Sequence, residues 1–112
     1  MAQFPKPPDT FLAFVQRFPE LGEAWRMTQD AGAAGPLDER MARLIKLAIA
    51  IGTRQEGPVH SAVRKALAVG ISDTEIDQVI ALAAGTIGFP ATVAVFSWIQ
   101  TEIEKHRSST IE

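Results

Sequence analysis

The spacing of apolar residues between prolines and glycines is the feature that most constrains the fold of this chain. Apolar side chains recur every three or four residues in six segments, and each segment starts or stops at residues typical of a helix boundary. No segment shows the sustained alternation of apolar and polar residues that predicts strands joined by hairpin turns. The sequence therefore predicts an all-α protein, a compact bundle of about six helices.

The boundary residues give the approximate limits of each predicted helix. In chain order, the helices run from Asp9 to about Phe18, from Pro19 to a break at 31–36, from a cap at Asp38 to Ile51, from about Glu56 to Val69, from Ser72 to Ala83, and from Pro90 to about Arg107. Ser72 and Glu75 form a capping-box pattern, and Gly70 before them can supply a left-handed stop. Gly85 to Phe89 are predicted to form a short break before the last helix.

The whole chain, residues 1–112, is predicted to form a single domain. Its length and its apolar content of 46% suit one hydrophobic core. Early prolines predict an extended arm over residues 1–8, because each proline removes a backbone donor and restricts the residue before it. At the other end, we expect residues 108–112 to fray.

Charge and cysteine content exclude several classes of function. The 11 basic and 13 acidic residues are mixed along the chain and give a net charge of −2, so no strongly basic surface for nucleic acid is expected. The absence of cysteine excludes a disulfide, a thiolate zinc site and a cysteine nucleophile. The first residues lack the pattern of a secretory signal and no apolar run is long enough to cross a bilayer, so we expect a cytoplasmic protein without a membrane partner.

The stretch from Val79 to Ile99 is almost wholly apolar. A monomer of this length could hardly bury all of these side chains, and large exposed apolar surfaces are uncommon on proteins that stay monomeric. We therefore expect a homo-oligomer whose subunit interface is built largely from the last two helices.

The region from Leu44 to Gly70 carries a fairly specific order of features. An apolar helix leads through a short turn into a helix that bears His60 and ends in Ala-Leu-x-x-Gly, and a capped acidic helix follows from Ser72. Over residues 37–105 this order resembles the carboxymuconolactone decarboxylase and alkylhydroperoxidase D superfamily. The resemblance implies a helical protein that assembles as a trimer or a hexamer.

The resemblance also separates this chain from the peroxidase branch of that superfamily. Counting back from His60 places Glu56 and Thr53 at the two positions where the peroxidases carry redox cysteines, so a disulfide cycle is impossible here. The upstream glutamate of the peroxidases would fall on Met41, or on Arg43 after a small gap, and its relay role is not transferred. The set that remains, His60 with Glu56 and Arg64, is closer to the cysteine-free members of the superfamily that resemble lactone-acting decarboxylases.

Glu56, His60 and Arg64 form the candidate site. Their four-residue spacing places them on one helix face, where a carboxylate could orient the imidazole and a guanidinium could hold an anionic substrate group. An unperturbed imidazole titrates near neutrality, which suits proton transfer at a carbon next to a carbonyl. We assign His60 and Glu56 as catalytic and Arg64 and Thr53 as substrate-binding, although the Thr53 hydroxyl could instead cap a helix. Pro58 leaves the contact between Glu56 and His60 open, because a helix that began at Pro58 would exclude Glu56.

The same residues also have a purely structural interpretation, with His60 as a hydrogen-bonded core or interface histidine and its neighbours as surface charges. No cofactor is predicted, and no metal, because a metal site needs more ligands than His60 and Glu56, and His106 lies in the charged last turn. Two functions therefore remain open. One is an acid–base lyase or isomerase that acts on a carboxylated lactone or oxoacid, and the other is a non-catalytic oligomeric binding or scaffold protein that retains the fold.

Overall fold

The structure, a computed structural model, describes residues 9–111 and contains six α-helices in that range. They are α1 (Asp9–Arg17), α2 (Pro19–Ala33), α3 (Glu39–Thr53), α4 (Glu56–Ala68), α5 (Asp73–Ile87) and α6 (Phe89–Ile111). No strand occurs within this range, so the predicted all-α class is confirmed. The extended arm predicted for residues 1–8 lies outside the described residues.

The described helices divide into two compact units, residues 9–37 and residues 38–111. In the first unit, α1 packs on α2 through Phe11 and Trp25, whose ring centroids lie 5.5 Å apart in an edge-on arrangement. Gly22 permits this approach, because a Cβ at that position would lie 3.1 Å from the Cβ of Val15. The single domain predicted for the whole chain stays a prediction.

The second unit contains four helices around one apolar core. α3 packs against α4 and α5, and α6 packs against the same two helices. The core consists of buried aliphatic side chains from every helix of the unit and from the turn before α5: Leu47, Ala50, Ile51, Val59, Val63, Ala66, Ile71, Ile76, Ile80, Val95, Ile99 and Ile103. Two of the contacts between helices, α4 with α6 and α3 with α5, contain the features that bear on function.

The helix boundaries of the second unit follow the predicted local signals. The side chain of Asp38 caps α3 by accepting a hydrogen bond from the backbone N–H of Met41 at 2.8 Å. Ser72 and Glu75 make both halves of the capping box at the start of α5. Gly70 has a φ of 84°, a conformation that side chains disfavour, and it ends the turn after α4. These three predictions are confirmed.

One predicted break is wrong. Residues 85–87 continue α5, and Gly88 alone turns the chain with a φ of 87° before α6 begins at Phe89. The N–H of Gly88 still donates to the carbonyl of Ala84 at 3.2 Å. Because Ile87 packs against the core, burial keeps this last turn helical despite the low helix propensity of Gly85.

The last helix is described as far as Ile111, and the fraying expected from Ser108 stays a prediction. Among the described helices, none combines the length and the apolar character needed to cross a bilayer.

Candidate functional site

Charged side chains from α4 and α6 meet in one cluster, hereafter the charge cluster. It consists of Glu56, His60 and Arg64 on α4 and Glu102 and Lys105 on α6. The three α4 residues are those predicted from the sequence, and the structure brings them together. The two α6 residues were not predicted as part of the site.

The start of α4 determines that Glu56 belongs to the cluster. Gln55 is the residue that precedes the helix, and its carbonyl accepts a hydrogen bond from the N–H of Val59 at 3.3 Å. Pro58 therefore lies in the first turn, where a backbone N–H has no partner within the helix and its absence costs nothing. The helix begins at Glu56, so the four-residue spacing to His60 produces a contact.

Both ring nitrogens of His60 face a carboxylate. Nδ1 lies 2.8 Å from Oε1 of Glu102, and Nε2 lies 3.0 Å from Oε2 of Glu56. The two carboxylates differ greatly in environment, because the side chain of Glu102 is 6% exposed and that of Glu56 is 61% exposed. The imidazole therefore connects a buried carboxylate to one at the surface.

This difference determines where the hydrogen of a neutral imidazole lies. With both carboxylates ionised, both contacts are hydrogen bonds only when both ring nitrogens carry hydrogen. A neutral ring has a single N–H, and a buried carboxylate loses more than an exposed one when it lacks a donor. The neutral form of His60 therefore keeps its hydrogen on Nδ1, towards Glu102, and Nε2 is left as an acceptor.

Glu102 is the central residue of the charge cluster. Its Oε1 accepts hydrogen bonds from His60 and from Nη1 of Arg64, the latter at 3.2 Å, and Nζ of Lys105 lies 3.9 Å away. A buried carboxylate needs such partners, because transfer from water without them is costly. Arg64 is thus engaged with Glu102 through one nitrogen.

A sequence signal for Glu102 exists. The buried residues Val95, Ile99 and Ile103 follow one another at four-residue intervals along α6, and Glu102 continues the same face three residues after Ile99. A carboxylate at such a position predicts a buried acid that needs a cationic or donor partner. Glu102 was not among the predicted site residues, although the sequence contains this signal.

Thr53 lies in the last turn of α3. Its hydroxyl donates to the carbonyl of Ala50 at 2.5 Å and accepts from the N–H of Gln55 at 3.2 Å. Among the hydrogen bonds of the described residues, none joins Thr53 to the charge cluster. The capping alternative accounts for these two contacts, and substrate binding by Thr53 stays a prediction.

A cavity of about 590 Å³ lies elsewhere, between α3 and α5. Its apolar lining includes Leu44, Ala48 and Gly52 from α3 and Val79, Ala83 and Ile87 from α5. None of the charge-cluster residues lines it. The chemistry and this cavity therefore lie on different pairs of helices.

The electrostatic setting next to the cluster is positive. Burial lowers the pKa of Lys65, and the nearby charges of Arg43, Lys46 and Arg64 lower it further.

Among the described residues, no group of three or more His, Asp or Glu side chains is arranged to hold a metal ion.

Comparison with protein-family models matches residues 19–101 to the carboxymuconolactone decarboxylase family. The chain belongs to this family. The match covers most of the chain and extends from α2 through most of α6. No curated protein and no solved structure matches the chain.

Most of the candidate site lies within the segment that matches the carboxymuconolactone decarboxylase family. His60, Glu56 and Arg64 lie inside the matched segment, whereas Glu102 lies one residue beyond its end. Positions 41 and 43 of α3 carry Met and Arg, and the buried carboxylate in contact with His60 is Glu102 on α6.

Proposed function

We propose that this chain is a cytoplasmic, cysteine-independent member of the family that transfers protons on a carboxylated lactone or a related oxoacid. His60 is the proton donor and acceptor, Glu56 is its partner, and Arg64 holds the substrate carboxylate. The observation that carries the proposal is the position of His60 between a buried and an exposed carboxylate. Such a pair gives the two ring nitrogens different roles.

Glu102 positions the ring and Nε2 performs the chemistry. The hydrogen bond from Nδ1 to the buried carboxylate fixes the orientation of the ring and the form of the neutral imidazole. Glu56 is mostly exposed, so its side chain can move into water and give a substrate access to Nε2. Neutral Nε2 accepts a proton from a carbon next to a carbonyl, and protonated Nε2 donates one.

In a decarboxylation the donor form of His60 is required. The bond between the substrate carbon and its carboxylate breaks, carbon dioxide leaves, and the electron pair stays on the carbon. That carbon then takes the proton from Nε2. Glu56, in contact with both solvent and Nε2, returns a proton to the ring. An isomerisation uses the same nitrogen first as base and then as acid.

Arg64 supplies the positive charge next to the reacting nitrogen. It is one turn from His60 on the same face of α4 and is partly exposed, with Nη1 bound to Glu102. A planar guanidinium can bind a second carboxylate through its other N–H groups. This arrangement favours anionic substrates.

The test is turnover of a panel of carboxylated lactones and oxoacids by the wild type and by His60→Gln. Removal of an acid–base group typically costs at least about a hundredfold in rate, and we expect a loss of that size with unchanged helix content. His106→Gln, which changes a histidine outside the charge cluster, is the matched control. Equal turnover by wild type and His60→Gln would contradict the proposed role.

A second candidate is a non-catalytic oligomeric binding or scaffold protein. Two observations favour it: both nitrogens of His60 already have protein partners, and the cavity does not reach this residue. In that case, no member of the panel is turned over and His60→Gln changes stability alone.

We also propose that the protein is a homo-oligomer, with a trimer or a hexamer as the resemblance implies. One face of α6 supports this, because Phe89, Val93 and Phe96 lie at helical spacing and are all exposed, Phe89 by 74%. Sedimentation velocity should show smaller particles for Val93→Glu than for the wild type. Ala94→Glu, on a different face of the same helix, is expected to have a weaker effect, and a monomeric wild type would contradict the proposal.

A further inference from the structure

The cavity between α3 and α5, hereafter the apolar groove, exists because the facing side chains are small. Ala48 and Gly52 on α3 and Ala83 on α5 leave the space between the helices unfilled. A Cβ added at Gly52 would meet no atom within 4 Å. Longer side chains at these positions would close the groove by packing across it.

Apart from Thr86 and one polar end, the walls of the groove are apolar. Leu44, Val79 and Ala83 are partly buried and rest on the core of the unit. Ile45 and Leu82 form the rim, and the side chain of Leu82 is among the most exposed apolar groups of the described residues. An apolar molecule that covers this surface removes it from water, and the removal of apolar surface from water is favourable.

One end of the groove is polar but carries little net charge. Glu75 lines this end and is paired with Arg40 across the two helices, so the positive and negative charges compensate. The carboxylate also accepts from the backbone N–H of Ser72 at 2.9 Å. Gln78, one turn further along α5, presents an amide that both donates and accepts hydrogen bonds.

The dimensions of the groove fit an elongated small molecule. From Glu75 to Thr86, both of which line it, α5 rises roughly 16 Å at 1.5 Å per residue. The volume of about 590 Å³ lies within the range of roughly 300–1,000 Å³ that is common for small-molecule sites. Such sites combine apolar walls with a few fixed polar groups, as this groove does.

From these features we infer that the apolar groove binds an uncharged amphipathic small molecule. The apolar body of the ligand lies along Ala48, Gly52 and Ala83, and a single neutral polar group, a hydroxyl, carbonyl or amide, bonds to Gln78 next to the Arg40–Glu75 pair. A charged head group gains little there, because the ion pair already neutralises both of its members. The site is separate from the charge cluster and does not depend on the proposed acid–base function.

A small molecule suits this surface better than a second copy of the chain. The groove is concave, and its floor is formed by two helices in direct contact. The α6 face that contains Phe89, Val93 and Phe96 offers a separate apolar surface for self-association.

The test is a fluorescence titration of the full chain with N-phenylnaphthylamine, an uncharged probe whose emission rises in apolar surroundings. We expect one saturable site per chain. Ala48→Phe fills the groove and should weaken probe binding by at least about tenfold, which corresponds to a loss of about 1.4 kcal/mol of contacts. Ala81→Phe, at an exposed alanine of α5 that does not line the groove, is the matched control and should bind like the wild type. Ala48→Leu, a smaller change, serves if the phenylalanine variant fails to fold.

Competition with the bound probe identifies the head group. Dodecanol should displace the probe at lower concentration than dodecanoate or dodecylamine. If either charged compound displaced the probe at lower concentration than dodecanol, the assignment of an uncharged ligand would be overturned. Absence of saturable binding, or equal binding by Ala48→Phe and Ala81→Phe, would overturn the site itself. A change in oligomeric state caused by Ala48→Phe, with probe binding intact, would assign the groove to a subunit interface. His60→Gln should leave probe binding unchanged.

Discussion

The charge cluster and the apolar groove lie in the same four-helix unit and are built in opposite ways. At the cluster, long side chains such as Arg64 and Glu102 reach across from α4 to α6 and satisfy one another. At the groove, alanine and glycine on α3 face alanine on α5 and leave the space between them unfilled, and Arg40 and Glu75 reach across at its polar end. The length of the side chains at the facing positions thus determines whether two packed helices are joined by polar contacts or leave a space between them. The first contact holds polar chemistry, and the second leaves an apolar space.

Truncation of Glu102 should have the largest effect on this contrast. Glu102→Ala leaves His60 and Arg64 without their shared acceptor and should lower the free energy of unfolding by about 2–3 kcal/mol, somewhat below the cost at a fully buried pair because both partners are partly exposed. Urea denaturation at a fixed chain concentration measures the change. Glu104→Ala, at an exposed site on the same helix, should change stability by less than about 0.5 kcal/mol. Similar losses in both variants would mean that the cluster is not specially stabilised.

A methyl group added in the groove should have a smaller effect of opposite sign. Gly52→Ala meets open space in a helical conformation, so helix propensity should raise the free energy of unfolding by about 0.5–1 kcal/mol. Gly70→Ala also meets open space, but the φ of 84° disfavours a side chain and should lower stability by about 1 kcal/mol. Thermal unfolding of both variants checks the signs, and destabilisation by Gly52→Ala would show that the groove is already filled.

The smallest expected effect concerns the polar end of the groove. The Arg40 guanidinium and the hydrogen bonds from Ser72 lower the pKa of Glu75 from 4.5 to about 2. A lowered pKa in the folded state contributes stability above pH 4.5, and this contribution is lost as the pH falls from 4.5 towards 2. Stability of Glu75→Gln, relative to the wild type, should therefore improve as the pH falls through this range. A difference that stays constant with pH would contradict the ion pair.

The helices could be predicted from the sequence because their ends depend on neighbouring residues. Asp38, Ser72 and Gly70 act within a few residues of their own position, and each was placed correctly. The break predicted from Gly85 to Phe89 was wrong over residues 85–87 for a non-local reason, since contact of Ile87 with the core keeps that turn helical.

The candidate site could be predicted only in part, for the same reason. The contact between Glu56 and His60 lies within one helix and follows from four-residue spacing once α4 begins at Glu56. The contact between His60 and Glu102 joins residues far apart in the sequence and requires the packing of α4 on α6. The groove needs small residues on two helices that are not consecutive, and no pattern within one helix indicates it.

The most direct test of the central claim is the position of the hydrogen on the neutral imidazole of His60. Heteronuclear NMR of the protein with ¹⁵N-labelled histidine distinguishes the two neutral forms. The signals that disappear in His60→Gln belong to His60, and those that remain belong to His106. A ring held by the buried Glu102 and open to substrate at Nε2 must carry its hydrogen on Nδ1. A neutral His60 with its hydrogen on Nε2 would contradict the proposed orientation and the catalytic role built on it.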